Sequence, residues 1–246
     1  MSVPAGFRKL AGRIVDWIFP PVCVSCGAAG ALLCEECRSK LQPVEPPFCP
    51  KCGKPLRKGK PCRLCGKTEF RFIASRAPFI YEGPAAALIK ALKYNGELSL
   101  VPILSGMLLD LWSELHWEID LIVPVPLSEK RRAQRGFNQS ELIAADFSRR
   151  IGVPKQPRAL VKVRHTAQQV GLNADERRKN LSGAFAAEGL LVKGKRILLL
   201  DDVMTTGTTF AECSAVLLDA GAGSVHCLSV ATAALGHGPQ SILNTV

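Results

Sequence analysis

Residues 197–209 read ILLLDDVMTTGTT, and this stretch decides the fold. Its first four residues are apolar, which predicts a buried parallel strand. Two carboxylates, Asp201 and Asp202, come where that strand is expected to end. A polar loop then leads into a helix-like stretch at 210–220, and the loop consists of Thr205, Thr206, Gly207, Thr208 and Thr209. A strand, an acidic pair, a hydroxyl-rich loop and a helix, in this order, predict a site for a phosphorylated sugar.

The physical basis of this prediction is the start of the helix. Backbone N–H groups at a helix N-terminus lack partners within the helix and attract an anion. Threonine hydroxyls add donors, and Gly207 lets a ligand approach the backbone closely. The acidic pair would repel a phosphate, so it is expected to face ribose hydroxyls or a magnesium-bound group. The alternative is a buried strand whose end is capped by Asp and Thr, which are ordinary turn residues.

Strands and helices are expected to alternate from about residue 71 to the end of the chain. The expected strands lie at 71–81, 120–125, 196–203 and 224–231, and the expected helices at 85–93, 98–115, 137–150 and 208–220. This alternation predicts an α/β domain over 71–246, with a parallel sheet flanked by helices. Ligands of such sheets bind beyond the carboxyl ends of the strands. Cys213 and Cys227 are expected to be buried core thiols.

Eight of the ten cysteines lie in the N-terminal part of the 246-residue chain. They form four Cys-x-x-Cys pairs: Cys23/Cys26, Cys34/Cys37, Cys49/Cys52 and Cys62/Cys65. Such repeated pairs are typical of structural zinc, rather than of disulfides or of a single redox motif. The simplest assignment gives the first four cysteines to one Zn²⁺ and the last four to a second, although an interleaved assignment also fits the spacing. Residues 1–70 are therefore expected to form a double zinc ribbon, preceded by a short amphipathic helix within 7–22.

The chain is basic, with a formal net charge of +11. Eight thiolates subtract 8 and two Zn²⁺ add 4, which leaves +7 for the zinc-loaded protein. Residues 49–67 contain seven basic residues and no acidic one. These charges either compensate the zinc-thiolate cluster or contact nucleic-acid phosphates. With no apparent signal peptide and no stretch of about eighteen uncharged apolar residues, we expect no membrane insertion and a cytoplasmic location.

A second basic segment follows the expected strand at 120–125. Its cations are expected to lie in one loop at the strand end, where they suit a highly charged anion such as pyrophosphate; they are Lys130, Arg131, Arg132 and Arg135. The alternative is a solvated basic loop capped by Asn138. Residues 164–180 are polar and aperiodic, which predicts a lid; we assign no catalytic role to His165 within it.

Several of these motifs carry a resemblance to known families. The stretch 197–209 resembles the PRPP-binding signature of type I phosphoribosyltransferases. The chain as a whole is similar to the ComF family, through the four cysteine pairs and the segments KALKYNGE (90–97), VPVPLSEKRRAQRGFNQ (123–139), TAQQVGLNADERRKNLSGAF (166–185) and LLLDDVMTTGTT (198–209). The resemblance implies a type I phosphoribosyltransferase fold and a role in DNA uptake during natural transformation (competence).

The same resemblance implies roles for the site residues. Thr205–Thr209 would bind the 5′-phosphate of PRPP, and Asp201 and Asp202 would be catalytic residues facing the ribose hydroxyls. The pyrophosphate, with Mg²⁺, would be bound by Lys130, Arg131 and Arg135. The expected activity is that of a glycosyltransferase with an unidentified acceptor. The alternative is a non-catalytic protein that handles single-stranded DNA, uses PRPP only as a regulatory ligand and works with other competence proteins.

Overall fold

A parallel sheet forms the centre of the computed structural model, which describes residues 20–163 and 183–234. The strands of the described residues are β1 (Ser75–Arg76), β2 (Phe79–Ile80), β3 (Leu121–Pro124), β4 (Leu160–Lys162), β5 (Phe185–Ala187), β6 (Arg196–Met204) and β7 (Ser224–Thr232). Among the described residues, the main sheet has the order β1-β7-β6-β3, β2 also pairs with β7, and all of these pairs are parallel. The strands β4 and β5 form a separate antiparallel pair.

Helices connect and cover these strands. They are α1 (Glu35–Ser39), α2 (Gly83–Asn95), α3 (Val101–Leu115), α4 (Glu129–Arg135), α5 (Gln139–Ile151), α6 (Gly189–Val192) and α7 (Thr208–Asp219). Short 3-10 helices occupy Leu98–Leu100 and Pro157–Ala159. Local sequence explains the ends of α2, since Pro84 lies in its first turn and Gly96 adopts the left-handed conformation that stops it. The lid expected at 164–180, with His165, and nearly all of the helix expected within 7–22 lie outside the described residues.

The strand expected at 71–81 is interrupted. β1 and β2 pair with β7 at positions four residues apart, and Ala77 and Pro78 separate them. Proline cannot donate a hydrogen bond to a neighbouring strand, so a continuous ladder is excluded at this edge. The remaining expected strands and helices of the sheet domain lie within a few residues of the observed ones, apart from the basic segment described below.

The core lies on both faces of the sheet because β6 is apolar on both sides. Leu198 and Leu200 pack with α2, α3 and α5 on one face. Ile197 and Leu199 pack with α7 and the β4–β5 pair on the other. Cys213 and Cys227 are fully buried in this second cluster, which confirms the prediction for both thiols.

The cysteine-rich segment packs directly on the sheet domain. Cys49 and Cys52 belong to the same buried cluster as Phe70 and Phe72. The backbone N–H of Val44 donates to the carbonyl of Pro78 at 2.9 Å, among the contacts that tie the segment to the β1–β2 edge. The boundary near residue 70 stays a prediction, since apolar side chains from both sides of it share one core.

Leu98–Leu115 is the one segment of the described chain that is long and apolar enough to cross a membrane by length and composition. In this fold it packs as a helix of the domain core. Its Leu104 and Leu108 are fully buried, and the Ser105 hydroxyl donates to the buried carboxylate of Asp146 on α5. The ring of Trp112 meets that of Phe147 edge-on, with centroids 5.7 Å apart.

Candidate functional site

The acidic pair lies where β6 extends beyond its neighbour β3. The last paired residues are Pro124 on β3 and Leu200 on β6, and β6 then continues to Met204. Asp201 and Asp202 follow directly after this point. We therefore expect a crevice beside them at the carboxyl edge of the sheet, where α/β folds bind their ligands.

Asp202 is held by a lysine from α2. Its side chain is 4% exposed, and its Oδ1 accepts from Nζ of Lys93 at 2.7 Å. Burial lowers the pKa of Lys93, but the carboxylate of Asp202 outweighs burial and the pKa is raised above its ordinary value. Among the described residues, Oδ2 of Asp202 is buried without a hydrogen-bond partner. One oxygen of this carboxylate thus remains available for a ligand.

Asp201 has a different environment. Its Oδ1 accepts from the Ser140 hydroxyl at 2.8 Å and from the backbone N–H of Asp202 at 2.9 Å. Burial, and next the negative charge of Asp202, raise the pKa of Asp201 to about 7, although Lys93 and the two donors act in the opposite direction. This carboxyl is therefore poised to change its protonation state near neutral pH, and it loses its proton most readily when a ligand supplies donors or positive charge.

The Thr/Gly loop connects β6 to α7 at the same edge. Gly207 is the N-cap of α7 with φ of 73°, and as a glycine it has no side chain that could cap this helix. A Cβ at Gly207 would lie 2.8 Å from Cε of Met204 and 3.1 Å from the ring of Phe70, so only glycine fits here. Thr206 and Thr208 share a hydrogen bond of 2.8 Å between their hydroxyls. The loop and the uncapped first turn of α7 form an anion-binding arrangement next to the acidic pair.

The basic segment after β3 is a helix, so the prediction of a loop was wrong. α4 covers Glu129–Arg135, and the Ser128 hydroxyl accepts from the backbone N–H of Arg131 at its start. This N-cap and good helix-forming residues are visible in the sequence, but the dense charge favoured the interpretation as a loop that binds an anion. Lys130 is exposed and Arg131 half-buried.

Arg135 is the predicted cation that the structure brings next to the acidic pair. Its guanidinium donates to Oε1 of Gln139 at 2.6 Å and lies 5.5 Å from the ring centroid of Tyr94. Burial lowers the pKa of Arg135, while the negative charge of Asp202 acts to raise it. Arg132 instead reaches Glu141 on α5, at 3.6 Å. Arg135 is thus close enough to Asp202 for that charge to act on it, whereas the contacts of the described residues do not relate Lys130 or Arg131 to the acidic pair.

The first cysteine cluster gathers the four sulfurs that the simplest assignment groups together. The sulfurs of Cys23, Cys26, Cys34 and Cys37 lie within 4.8 Å of one another. The Sγ atoms of Cys26 and Cys34 are 3.6 Å apart, which is close to the edge length of a tetrahedron of sulfurs around one Zn²⁺. Burial raises the pKa of Cys23, but backbone N–H donors, that of Cys34 foremost, bring it down to about 6. The residues present therefore fit a zinc site with four thiolate ligands.

The second cluster, Cys49, Cys52, Cys62 and Cys65, fits zinc equally well. Its sulfurs also lie within 4.8 Å of one another, with Cys52 and Cys62 at 3.5 Å. Next to it, Lys54 is 2% exposed and donates through Nζ to the carbonyl of Ala233 and the hydroxyl of Thr232. A cation buried beside a zinc-thiolate cluster compensates its negative charge. Lys54 thereby also connects this cluster to the carboxyl end of β7.

Sequence reasoning missed the residues that contact the acidic pair from other elements. Lys93 was not singled out because a lysine near the end of an amphipathic helix is usually solvated. Ser140 was not singled out because serine at the start of a helix is common. Tyr81, at the end of β2, is also near, since the charges of Lys93 and Asp202 act on its pKa, which burial raises. The sequence does contain a signal for Lys93 and Ser140. Each lies close to a segment with Gly or Asn at the end of a helix, which is 94–96 for Lys93 and 136–138 for Ser140.

Comparisons with known families agree with this two-part architecture. Residues 14–66 match the family model of the double zinc ribbon domain. Residues 138–242 match the family model of the phosphoribosyl transferase domain. Together with the parallel sheet and the two cysteine clusters, these matches confirm the predicted type I phosphoribosyltransferase fold with an N-terminal zinc module.

Individual proteins match most of the chain. DNA utilization protein YhgH of Escherichia coli strain K12 is 34% identical over 218 residues, which are 84% of this chain and 94% of that protein. Competence protein F of Haemophilus influenzae is 30% identical over 209 residues, 82% of this chain and 90% of that protein. The solved structure of the glutamine phosphoribosylpyrophosphate amidotransferase of B. subtilis matches 53% of this chain and 25% of its own, at 22% identity and a TM-score of 0.35.

Proposed function

The chain belongs to the ComF family, which includes competence protein F and DNA utilization protein YhgH, and from this membership we propose a function in three parts. The protein binds PRPP together with Mg²⁺ in the crevice beside β6. It acts in the cytoplasm, in the uptake or use of DNA. Its activity is phosphoribosyl transfer to an acceptor that is still to be identified.

The observation that carries this proposal is the placement of the acidic pair beside the Thr/Gly loop. A phosphorylated ribose needs anion-binding donors at one end and acceptors for its hydroxyls at the other. Thr205–Thr209 and the first turn of α7 supply the donors. Asp201 and Asp202 supply the acceptors at the neighbouring strand end.

The two carboxylates have distinct roles in the proposed mechanism. Asp202 is already paired with Lys93, so its position is fixed and its charge largely compensated. Asp201 is the carboxylate that gains most from ribose hydroxyls, because its negative charge is disfavoured in the free protein. Once ionised, it stabilises the positive charge that develops at the anomeric carbon as pyrophosphate departs.

The pyrophosphate end is expected to lie toward α4. Arg135 donates to Gln139 and lies within reach of the charge of Asp202, while Lys130 and Arg131 on the same helix add positive potential. Oδ2 of buried Asp202 has no hydrogen-bond partner within the described part of the chain, and it would suit a divalent cation. When bound, Mg²⁺ would compensate the charge of the leaving pyrophosphate.

Calorimetric titration with Mg²⁺ and PRPP tests this assignment. Wild type is expected to bind, and Asp201→Asn and Thr206→Val to bind at least roughly tenfold more weakly, since each removes a hydrogen-bonded contact to a charged ligand. Asp110→Asn, at an exposed position on α3, is the matched control and should bind as wild type. Equal heats for Asp201→Asn and wild type would reject the site. Pyrophosphate release with candidate acceptors then tests for turnover.

A second candidate function, handling of single-stranded DNA with PRPP as a regulatory ligand, is favoured by the basic second ribbon. Of the seven basic residues in 49–67, five are exposed, and three of these stand close together in the chain: Arg57, Lys58 and Lys60. Charge reversal at these three should weaken binding of a single-stranded oligonucleotide and flatten its salt dependence. Lys54 is left unchanged because it is buried. Oligonucleotide binding that these charge reversals leave unchanged would exclude residues 49–67 as the DNA contact.

A further inference from the structure

A chain of hydrogen bonds through Lys54 joins the second cysteine cluster to Met204, the last residue of β6. The backbone carbonyl of Lys54 accepts from the N–H of the ligand Cys49 at 2.8 Å, so Lys54 closes the ligand loop, residues 49–54. Its ammonium group donates to the Thr232 hydroxyl at 3.3 Å and to the carbonyl of Ala233. The carbonyl of Met204 accepts from that hydroxyl at 3.2 Å and from the backbone N–H of Ala233 at 2.9 Å. Because an ammonium group only donates, the Thr232 hydroxyl accepts from Lys54 and directs its own proton to Met204.

A second route reaches the side chain of Met204 through β1. The backbone N–H of Ser75 donates to the carbonyl of Lys51, which precedes the ligand Cys52, at 2.8 Å. The Ser75 hydroxyl donates to Sδ of Met204 at 3.2 Å, and both residues are buried. The two routes therefore start at Lys51 and Lys54, on either side of one zinc ligand, and end at the same methionine.

Met204 supports the Thr/Gly loop in two ways. Thr205 follows it directly, and because the peptide bond is planar, the orientation of the Met204 carbonyl also sets that of the Thr205 N–H. The side chain of Met204 packs beneath Gly207, where a Cβ would lie 2.8 Å from its Cε. Since Gly207 begins α7, a displacement of Met204 would move the N–H groups that we assign to the 5′-phosphate.

We propose that Lys54 is a positioning residue through which the second cysteine cluster, when loaded with zinc, controls the affinity for PRPP. A loaded cluster holds the ligand loop in one conformation, and Lys54 and Ser75 transmit that position to Met204. When the cluster loses its ion, the Thr/Gly loop loses this support and PRPP binds more weakly. The inference rests on the proposed function and deepens it by assigning a regulator to the same site. By linkage, PRPP must raise the affinity of this cluster for Zn²⁺ by the same factor.

Removal of one ligand from each cluster separates the two zinc sites. Cys62 and Cys34 are both partly buried, so Cys62→Ser and Cys34→Ser are a matched pair. Each variant should retain one Zn²⁺, which metal analysis checks. With Mg²⁺ present, Cys62→Ser should bind PRPP roughly threefold to thirtyfold more weakly than Cys34→Ser in calorimetry. Equal affinities of the two variants would overturn the proposal.

The reciprocal effect is measured by competition of each variant with a chromogenic zinc chelator. PRPP should raise the zinc affinity of Cys34→Ser, whose remaining ion lies in the second cluster. It should leave the zinc affinity of Cys62→Ser unchanged, and this protein also controls for zinc that PRPP itself binds. An equal response of the two proteins to PRPP would contradict the coupling.

Thr232→Val tests the route through Lys54 with both clusters intact. Valine keeps the shape of threonine but removes the hydroxyl between Lys54 and Met204, so PRPP should bind roughly threefold to thirtyfold more weakly while zinc content stays at two ions. Thr232→Ser retains the hydroxyl and should restore binding. Ser214→Ala removes a buried hydroxyl that donates to Ala211 within α7, and should bind as wild type. Lys54→Met should act like Thr232→Val; if it does not fold, Thr232→Val decides, and its wild-type affinity would exclude the positioning role.

The methyl signal of Met204 reports the position of this residue without PRPP. The chain has three methionines, so ¹³C-methyl labelling gives few NMR signals, and Met204→Leu assigns the one of interest. This signal should shift in Cys62→Ser and stay at its wild-type position in Cys34→Ser. No shift in Cys62→Ser would overturn the connection between ribbon and loop. A shift there, combined with absence of PRPP binding in every protein, would reject the proposed function while supporting the connection.

Discussion

Nζ of Lys93 on α2 lies 2.7 Å from Oδ1 of Asp202 on β6, and both side chains are largely withdrawn from solvent. The two residues are 109 positions apart in the chain. This ion pair therefore joins the helix after β2 to the strand that carries the candidate site. It also leaves Asp201 as the less compensated member of the acidic pair.

Removal of Lys93 is expected to destabilise the fold. Lys93→Met leaves the carboxylate of Asp202 buried without its cation, which typically costs about 3 kcal/mol. The double variant Lys93→Met/Asp202→Asn should recover much of this loss, because no unpaired charge remains. Urea unfolding of the single and double variants measures both effects. Lys130→Met, at an exposed position, is the control, and a Lys93→Met protein as stable as this control would contradict the interpretation.

The Asp201 carboxyl predicts a pH dependence of stability. Its pKa is raised to about 7 by burial and by Asp202, so between about pH 4 and 7 the folded state holds a proton that the unfolded state has lost. The stability contributed by this group is present at low pH and decreases as pH rises through 7. Asp201→Asn removes the ionisation, and should raise Tm by a few degrees at about pH 8.5 and by about half as much at about pH 5.5, in the middle of this window.

Thermal unfolding at the two pH values checks this prediction. Asp110→Asn is the control for loss of one carboxylate at an exposed site. A Tm difference between Asp201→Asn and wild type that is equal at both pH values would show that Asp201 is not the titrating group. PRPP binding by Asp201→Asn, measured in parallel, should be weakened even where the fold is more stable.

Substitution of Gly207 tests whether stability and PRPP binding depend on the close packing of the Thr/Gly loop. Gly207→Ala places a methyl group 2.8 Å from Met204 and forces a side chain into φ of 73°. Gly194→Ala has a similar φ of 70° but no atom within 4 Å. Both variants should lose about 1 kcal/mol from the backbone. Only Gly207→Ala should lose more stability and weaken PRPP binding, as unfolding and calorimetry would show; equal losses would exclude the packing contribution.

The two zinc ribbons offer a matched pair of glycines. Gly27 and Gly53 each follow the second cysteine of a pair, with φ of 80° and 70°. A Cβ at Gly53 would lie 2.3 Å from the carbonyl oxygen of Ser75 on β1, whereas a Cβ at Gly27 meets no atom within 4 Å. Gly53→Ala should therefore lower Tm markedly more than Gly27→Ala. Zinc content should stay at two ions in Gly27→Ala, and equal behaviour of the two variants would argue against docking of the second ribbon on β1.

Local patterns sufficed for much of the fold. The apolar run of β6 predicted a strand buried on both faces, and Ile197 to Leu200 are indeed fully buried. Repeated Cys-x-x-Cys spacing predicted two sets of ligands, and the sulfurs cluster in those two sets. In both cases the information lies within a short segment, so a single sequence reveals it.

The rest depends on contacts between distant segments. The pairing of Lys93 with Asp202 and of Ser140 with Asp201 follows from how α2 and α5 pack on β6, which no local pattern encodes. The helix α4 was missed because an N-cap at Ser128 is a weaker signal than four cations in six residues.

The contacts of Lys54, in the second zinc ribbon, limit how this protein can be divided into parts. Its ammonium group donates to the hydroxyl of Thr232 and the carbonyl of Ala233 at the end of β7. Polar groups on the two sides of the expected boundary therefore satisfy each other's hydrogen bonds. A chain that began at residue 71 would leave the carbonyl of Ala233 and the apolar surface around Phe72 open to water. We therefore expect that transferase domains of this family cannot be exchanged between relatives without their own ribbons, and that the two parts change together in evolution.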